Sequence, residues 1–139
     1  MERNFYSTFQ ALTKNLNKIH KASCEGVTVV QSSILNEISL HNEPSMQTVA
    51  DALGMDITTF SRQIGTLEKK NMIARTPNTS DRRIYLLSLT KTGHKLVQTI
   101  NTNIATTMEE SLSSMNDFER ETVMRSMQLL NDRLKNIDN

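Results

Sequence analysis

The chain has 139 residues and a formal net charge of +1, and 37% of its residues are hydrophobic, with eight methionines and no tryptophan. This composition suits one domain with a mainly aliphatic core, and the two prolines and four glycines are too few for a disordered chain or a turn-rich sandwich. No apolar run reaches the roughly 18 residues of a membrane span, and the N-terminus lacks a signal peptide's apolar core. We therefore expect a cytoplasmic protein that makes no membrane contact.

Two helices are predicted at the N-terminus. The first carries apolar residues that recur every three or four positions and form one stripe. These residues are Phe5, Phe9, Leu12, Leu16 and Ile19. Gly26 can end this helix or the turn after it, and Thr28 with Gln31 three residues later predicts a capping box for the second helix. The buried face of that helix is expected to contain Ile34, Leu35 and Ile38.

Two shorter helices are predicted next, in residues 45–71. Ser45 and Asp56 can cap them, because a short polar side chain can accept from the backbone N–H groups of the first turn. Gly54 can supply the left-handed turn between them. Asn71 tolerates the left-handed conformation that ends the second helix.

Two strands and two long helices complete the predicted order. Strand-forming residues in 72–76 and 84–89 predict a two-stranded hairpin across a loop from 77 to 82. Thr90 can cap a long fifth helix, and Asn116, with a glutamate three residues later, can open a last one. The predicted fold class is therefore mainly α with a small β-hairpin.

Apolar stripes on the outer helices predict a homodimer. The first, fifth and last helices all carry one, although the middle of the chain could form a compact unit alone. The stripe of the last helix contains Val123, Met127, Leu130, Leu134 and Ile137. Such surplus apolar surface is best buried against a second copy of the chain. The alternative is a monomeric helical bundle.

Residues 45–67 have the pattern of a helix-turn-helix, with Ala50 where two helices cross closely and Gly54 in the turn. The N-terminal half of the second helix enters the major groove in such motifs. Arginine can bind guanine and glutamine can bind adenine through paired hydrogen bonds. The polar residues predicted on this half are Thr58, Thr59, Ser61, Arg62 and Gln63.

Basic residues are concentrated between Asp56 and Lys95, where eight basic residues accompany three acidic ones. This excess favours a polyanionic partner, although surface helices also carry charge simply for solvation. A hairpin after a helix-turn-helix predicts a winged helix, whose tip would bring Arg82 and Arg83 to the minor groove or to phosphates. DNA would repel Asp81, so we predict that its carboxylate holds the Arg83 guanidinium. The alternative is that Asp81 is only a turn former.

Five short motifs occur in order between Val49 and Gly93. They are Val49-Ala50, Leu53-Gly54, Leu67-Glu68, Asp81-Arg82-Arg83, and Leu89-Thr90 with Gly93. With these motifs the chain resembles the MarR family of bacterial transcriptional regulators. The resemblance covers nearly the whole length, because the flanking helices fit the family's dimerisation region. Two positions depart from it: Asn71 replaces the usual glycine, and Gln63 stands where an apolar residue is more usual.

The resemblance implies one domain over residues 1–139, with a winged-helix lobe at 29–95 and dimerisation helices at 1–25 and 96–139. It implies a homodimer that binds a palindromic DNA operator, usually as a repressor, and releases it on binding a small ligand or on cysteine oxidation. Arg62 would read bases and Arg83 would enter the minor groove. Phosphates would be bound at a helix N-terminus by Ser45, Gln47 and Thr48.

Cys24 is the candidate redox sensor. It lies between the first two helices, and the nearby cation Lys21 could favour the oxidisable thiolate form. The alternative is an inert thiol, since buried cysteines usually act as small apolar residues. Release would then depend on an unidentified ligand bound between the dimerisation helices and the DNA-binding lobe.

Catalytic and metal-binding signatures are missing from the sequence. His20, His41 and His94 lack the paired spacing of a metal site, and we expect no metal and no cofactor. No phosphate-binding loop or nucleophile–base pair is recognisable, so we expect no enzyme. The alternative function is a helical protein-interaction module that docks a protein through its winged helix. The basic wing favours DNA, because a docking wing would more often be apolar.

Overall fold

The computed structural model describes residues 2–135 and 137, with only the backbone for residues 2 and 3. Its mainly α architecture with one small hairpin confirms the predicted fold class. Residues 1, 136, 138 and 139, which belong to the predicted dimerisation ranges, lie outside the described residues. Within the described part, the elements are α1 (Glu2–Ser23), α2 (Val29–Ser39), α3 (Met46–Ala52), α4 (Ile57–Lys69), β1 (Ile73–Pro77), β2 (Tyr85–Leu89), α5 (Lys91–Leu112) and α6 (Asp117–Leu134).

The predicted helix caps are present. Thr28 and Gln31 form the capping box of α2, and Asn116 opens α6 with a second capping box. Ser45 and Asp56 cap α3 and α4 by accepting from the backbone N–H three residues further on. Each cap satisfies a donor that the first helical turn leaves unpaired. The boundaries of these helices therefore follow from short-range sequence pairs.

The first turn of α5 packs against the turn that ends α4. Asn71 has a φ of 56° and takes the predicted left-handed conformation. The Thr90 hydroxyl accepts from the N–H of Gly93 at 3.0 Å and donates to the carbonyl of Asn71 at 2.7 Å. An added Cβ at Gly93 would overlap the carbonyl oxygen of Met72. Only glycine permits this close approach of helix and turn.

The hairpin is antiparallel, and its register runs from the pair Ile73–Leu89 to the pair Pro77–Tyr85. Its loop spans residues 78–84 rather than the predicted 77–82, because Pro77 keeps the extended backbone that pairs with Tyr85. Proline is tolerated at such an edge position, where its missing N–H is not needed.

The chain segment before α3 lies beside β2 and was not predicted as part of the hairpin. The N–H of Leu87 donates to the carbonyl of Pro44 at 2.8 Å, and Ser45 forms an isolated bridge with Leu86. These contacts attach the hairpin to the start of the helix-turn-helix.

The core joins α2, α3, α4, the hairpin and the first part of α5 in one cluster. Apolar residues from all these elements are buried in it: Ile34, Leu35, Ile38, Val49, Ala50, Phe60, Ile64, Leu67, Ile73, Leu87, Leu96, Val97 and Ile100. The last three come from the range that the sequence assigns to dimerisation. The N-terminal part of α5 therefore packs with the winged helix.

The chain divides into two compact units, one ending at Ile104 and the other beginning at Ala105. In the first unit, α1 exposes the apolar stripe that begins at Phe5 and Phe9. In the second unit, no residue of α6 is buried within the described part of the chain. None of the described helices is long and apolar enough to cross a bilayer.

Candidate nucleic-acid interface

Helix α4 presents a polar outer face because its apolar residues point into the core. Phe60, Ile64 and Leu67 are fully buried. The outer residues Thr58, Thr59, Arg62 and Thr66 are exposed, and Ser61 is half-buried. Among the described residues, the Arg62 guanidinium has no hydrogen-bond or ion-pair partner. Its five N–H donors are therefore free for a partner outside the chain.

The N-terminus of α4 is fixed by Asp56, whose carboxylate accepts from the N–H of Thr59 at 2.9 Å. Hydrogen bonds from the backbone and then the hydroxyl of Thr59 hold the pKa of Asp56 below its ordinary value. The cap is therefore ionised at neutral pH, where its charge also favours the helix dipole.

Helix α3 lies beside α4 and contributes Ser45, Gln47 and Thr48. The Ser45 hydroxyl caps the helix at the N–H of Thr48 and lies 2.8 Å from the Thr48 hydroxyl. The Gln47 amide donates to the carboxylate of Asp51 at 2.7 Å. Gln47 and Thr48 are exposed and Ser45 is half-buried. All three side chains therefore lie at the surface, with internal hydrogen bonds that orient them.

The wing tip carries the predicted pair of Asp81 and Arg83. The guanidinium donates through Nε and a terminal nitrogen to the two carboxylate oxygens, each at 3.1 Å. The Arg83 backbone N–H also donates to Asp81, so the aspartate forms the turn as well. The Arg83 guanidinium holds the pKa of Asp81 below its ordinary value. Arg83 nevertheless keeps 90% of its side chain exposed, and Arg82 is exposed too.

One concave surface of about 480 Å³ brings α3, α4 and the wing together. Its lining includes Ser45 and Gln47 from α3, Ser61 from α4, and Arg83 with Tyr85 from the hairpin. We call this the wing groove. It gathers four of the residues predicted to bind DNA. The other six are not among the groove residues: Thr48, Thr58, Thr59, Arg62, Gln63 and Arg82.

Two further basic residues between Asp56 and Lys95 form intramolecular contacts. Arg75 pairs with Glu68 at 2.6 Å and lies over the Tyr85 ring at 5.6 Å, which ties the hairpin to the end of α4. Lys70 donates to the carbonyl of Gly26 at 3.2 Å. Sequence analysis missed both roles. The hairpin register does place Arg75 and Tyr85 as diagonal neighbours on one face, which could have indicated the stacking.

Gln63 occupies a different position from the one predicted for a base-reading residue. It is half-buried, and its amide oxygen accepts from the Gln31 amide of α2 at 3.2 Å. Gln63 therefore faces α2, whereas the neighbouring Arg62 faces outward. The sequence signal for this orientation is that an apolar residue is more usual at this position.

Cys24 is a free, half-buried thiol near the end of α1, and its sulfur lies 3.2 Å from the carbonyl of His20, to which it donates. The His20 ring lies 2.9 Å from the Ser32 hydroxyl. A cavity of about 300 Å³ opens beside His20 and Ser32 and is also lined by residues of α5 such as Ile100. Within the described residues, no group of histidine, cysteine or acidic side chains could hold a metal ion.

Comparison with known sequences links this geometry to one family. Residues 27–85 match the family model described as "MarR family". The chain is also 36% identical over 69 residues to the HTH-type transcriptional repressor MdtR of Bacillus subtilis. That match covers 50% of this chain and 44% of MdtR, so it spans less than half the length of that relative.

Solved structures share the fold over nearly the whole chain. YusO of Bacillus subtilis is 26% identical, with a TM-score of 0.77 and 94% coverage of both chains. FabT of Streptococcus pneumoniae, solved in complex with DNA, has a TM-score of 0.84 and 99% coverage of both chains at 18% identity. The second likeness is one of fold alone.

Proposed function

We propose that this chain, which belongs to the MarR family, is a DNA-binding transcriptional regulator that represses from a palindromic operator. The family's members are transcription regulators and not enzymes. The observation that carries the proposal is the wing groove, where an exposed arginine on the wing and the polar residues of α3 and α4 face the same space. The description of MdtR as a repressor and the FabT–DNA complex support it.

Base reading is assigned to the outer face of α4. Arg62 is exposed and free to form the paired hydrogen bonds that recognise guanine in the major groove. Thr58, Thr59 and Ser61 lie on the same N-terminal half and supply further donors and acceptors. Because this half is also the capped end of the helix, its backbone position is well fixed.

Backbone and minor-groove contacts are assigned to α3 and the wing. Arg83 and Arg82 extend from the hairpin tip, where the bond to Asp81 limits the freedom of Arg83 before DNA binds. A pre-oriented side chain loses less entropy on binding. Ser45, Gln47 and Thr48 would contact phosphates beside the α3 N-terminus.

A homodimer would supply two such lobes. The exposed apolar residues of α1 and of α6 support this part of the proposal, because isolated soluble chains rarely expose long apolar stripes. A two-fold symmetric pair of helix-turn-helix units would place its half-sites about 34–36 Å apart, one turn of DNA.

Release from DNA is assigned to a small ligand in the cavity beside His20 and Ser32, which has room for one. Oxidation of Cys24 is the competing route, and the half-buried position of its thiol limits access by an oxidant. Release from DNA by peroxide, measured for the wild type and for Cys24→Ser, distinguishes the two routes. Equal release by peroxide from the wild type and from Cys24→Ser would exclude the thiol.

The proposal is tested by selecting bound duplexes from a random-sequence pool with the full chain. We expect a two-fold symmetric consensus. Arg62→Ala should then lose about 1–3 kcal/mol of binding free energy on the selected operator and little on a random duplex. Lys18→Ala is the control, since Lys18 is an exposed cation on α1 outside the wing groove. Absence of binding to every duplex at low ionic strength would overturn the proposal.

A further inference from the structure

A hydrogen bond between two side-chain amides links α4 to α2. Gln31, on the first turn of α2, is 6% exposed, and its amide nitrogen donates to the amide oxygen of Gln63 at 3.2 Å. The two residues are 32 positions apart in the chain. We call this contact the amide bridge. It joins the helix that precedes the helix-turn-helix to the one that carries Arg62.

The side of Gln31 opposite Gln63 is also fixed. Its amide oxygen accepts from the backbone N–H of Thr28 at 3.2 Å, in the capping box, and lies 3.5 Å from the Lys70 ammonium. Lys70 itself is held by the carbonyl of Gly26. The orientation of the Gln31 amide is therefore set by the turn before α2 and by the end of α4. It presents its nitrogen to Gln63 in one defined direction.

A buried amide of this kind penalises displacement of α4 along α2. If α4 shifts, the Gln31 donor is left without its partner, and an unsatisfied buried donor costs free energy. Apolar contacts are less directional than a hydrogen bond, which weakens steeply as its donor–acceptor angle departs from linear. Gln63 follows Arg62 directly, so the amide bridge acts within one residue of the proposed base reader.

We infer that Gln31 and Gln63 are a positioning pair, which sets the placement of α4 so that Arg62 reaches its base. Gln63 itself contacts no base in this arrangement. The inference rests on the proposed DNA-binding function and adds the residue pair that positions its base-reading arginine. Base reading needs side chains placed to within about 0.5 Å, and supporting hydrogen bonds, in addition to close packing, hold them there.

The test compares binding of the selected operator and of a random duplex by five variants of the full chain. Gln63→Met and Gln31→Met each remove the amide bridge. The double variant removes the same single contact. Gln31→Glu retains a bridge, because the Gln63 amide can turn over and donate to the new carboxylate. Gln98→Met, at an exposed position of α5, is the matched control.

We expect each single methionine variant to weaken operator binding by about threefold to tenfold, because a displaced Arg62 would keep only part of its paired hydrogen bonds to the base. The double variant should lose no more operator affinity than the single variant with the larger loss, because the two residues act through one contact. Gln31→Glu and Gln98→Met should bind the operator like the wild type. Random-duplex binding and the salt dependence should stay unchanged in all five.

Several results would overturn the inference. Additive losses in the double variant would make Gln63 an independent base contact. Equal losses on operator and random duplex, or no loss in Gln63→Met, would remove the positioning role. Gln31→Met also disrupts the capping box, so its thermal midpoint is measured, whereas Gln63→Met leaves that box intact and is interpretable alone. If the wild type binds no duplex, the proposed function fails. If the wild type binds the operator and the methionine variants bind it equally well, the positioning role alone fails.

Discussion

The same apolar spacing has opposite outcomes in two regions of the chain. In α2 and α4, apolar residues three or four apart, such as Ile34 and Phe60, are completely buried. In α1 and α6, apolar residues with the same spacing stay in solvent: Phe9 is 51% exposed and Leu130 is 49% exposed. The spacing decides which side of a helix is apolar, but it does not decide what covers that side.

This difference separates folding from assembly. The winged-helix core is covered by its own chain, so its stability should not depend on protein concentration. The stripes of α1 and α6 are left for another surface, which in our proposal is a second copy. Substitutions in the core should therefore change the free energy of unfolding. Substitutions in the stripes of α1 and α6 should change the dimer dissociation constant.

The largest effect is expected for Phe60→Ala. This side chain is fully buried in the core cluster, so its loss leaves a cavity between α4 and its neighbours. We expect the free energy of unfolding to fall by about 3–5 kcal/mol. Denaturant unfolding at two widely separated protein concentrations would show the same loss at both. A loss that grew on dilution would place Phe60 in the dimer interface and contradict the distinction between the core and the exposed stripes.

Phe9→Ala should act on assembly instead. If the stripe of α1 packs against a second copy, removal of this exposed aromatic should raise the dimer dissociation constant by about tenfold or more, as for an interface anchor. Analytical ultracentrifugation measures this constant. Leu40→Ala is the matched control, because Leu40 is 68% exposed but lies at the end of α2, outside the stripes of α1 and α6. Equal dimer constants for the wild type and Phe9→Ala would exclude Phe9 from the interface.

A smaller effect, confined to the surface of the lobe, is expected for Arg83→Ala. Its side chain packs on nothing in the core, so stability and assembly should be unchanged. If it meets one phosphate, the slope of log binding constant against log salt should become shallower by about 0.9. Lys18→Ala on α1 should leave the slope as it is. An unaltered slope in Arg83→Ala would remove the wing from the phosphate contacts.

Local signals account for what could be predicted. The capping pairs, the left-handed Asn71 and the bond between Asp81 and Arg83 each involve residues at most three positions apart, or a single residue. Their geometry is therefore fixed by the residues themselves. The hairpin and the helix-turn-helix follow from periodicity and turn residues, and with them the general position of the wing groove.

Long-range contacts account for what could not. The amide bridge joins Gln31 to Gln63, and the ion pair of Arg75 with Glu68 joins the hairpin to α4. Sequence analysis placed Gln63 among the DNA-binding residues because glutamine can pair with adenine in the major groove. The one signal against this assignment was that an apolar residue is more usual at this position. Its partner lies on another helix, and the contact between α2 and α4 shows that the amide is used inward.

The smallest effect concerns the caps, which differ between the two regions in one chemical respect. Asp56 caps α4 in the lobe and can titrate, whereas Asn116 caps α6 and cannot. The pKa of Asp56 is lowered in the folded state, so its contribution is present above the ordinary value of 3.8 and is lost as pH falls through the lowered folded-state pKa. Asp56→Asn keeps a good cap without a titrating group. We therefore expect the unfolding free energy of this variant to fall less steeply than that of the wild type on acidification below pH 3.8.

The reciprocal variant, Asn116→Asp, moves the acid-sensitive cap from the lobe to the second unit. Its carboxylate would accept from the N–H of Glu119, as the Asn116 oxygen does now. Acidification should then weaken α6 as well, since the new group loses its charge on protonation. Denaturant unfolding at neutral pH and below pH 3.8 measures both variants against the wild type. Identical acid slopes in the wild type and Asp56→Asn would show that the α4 cap contributes nothing through its charge.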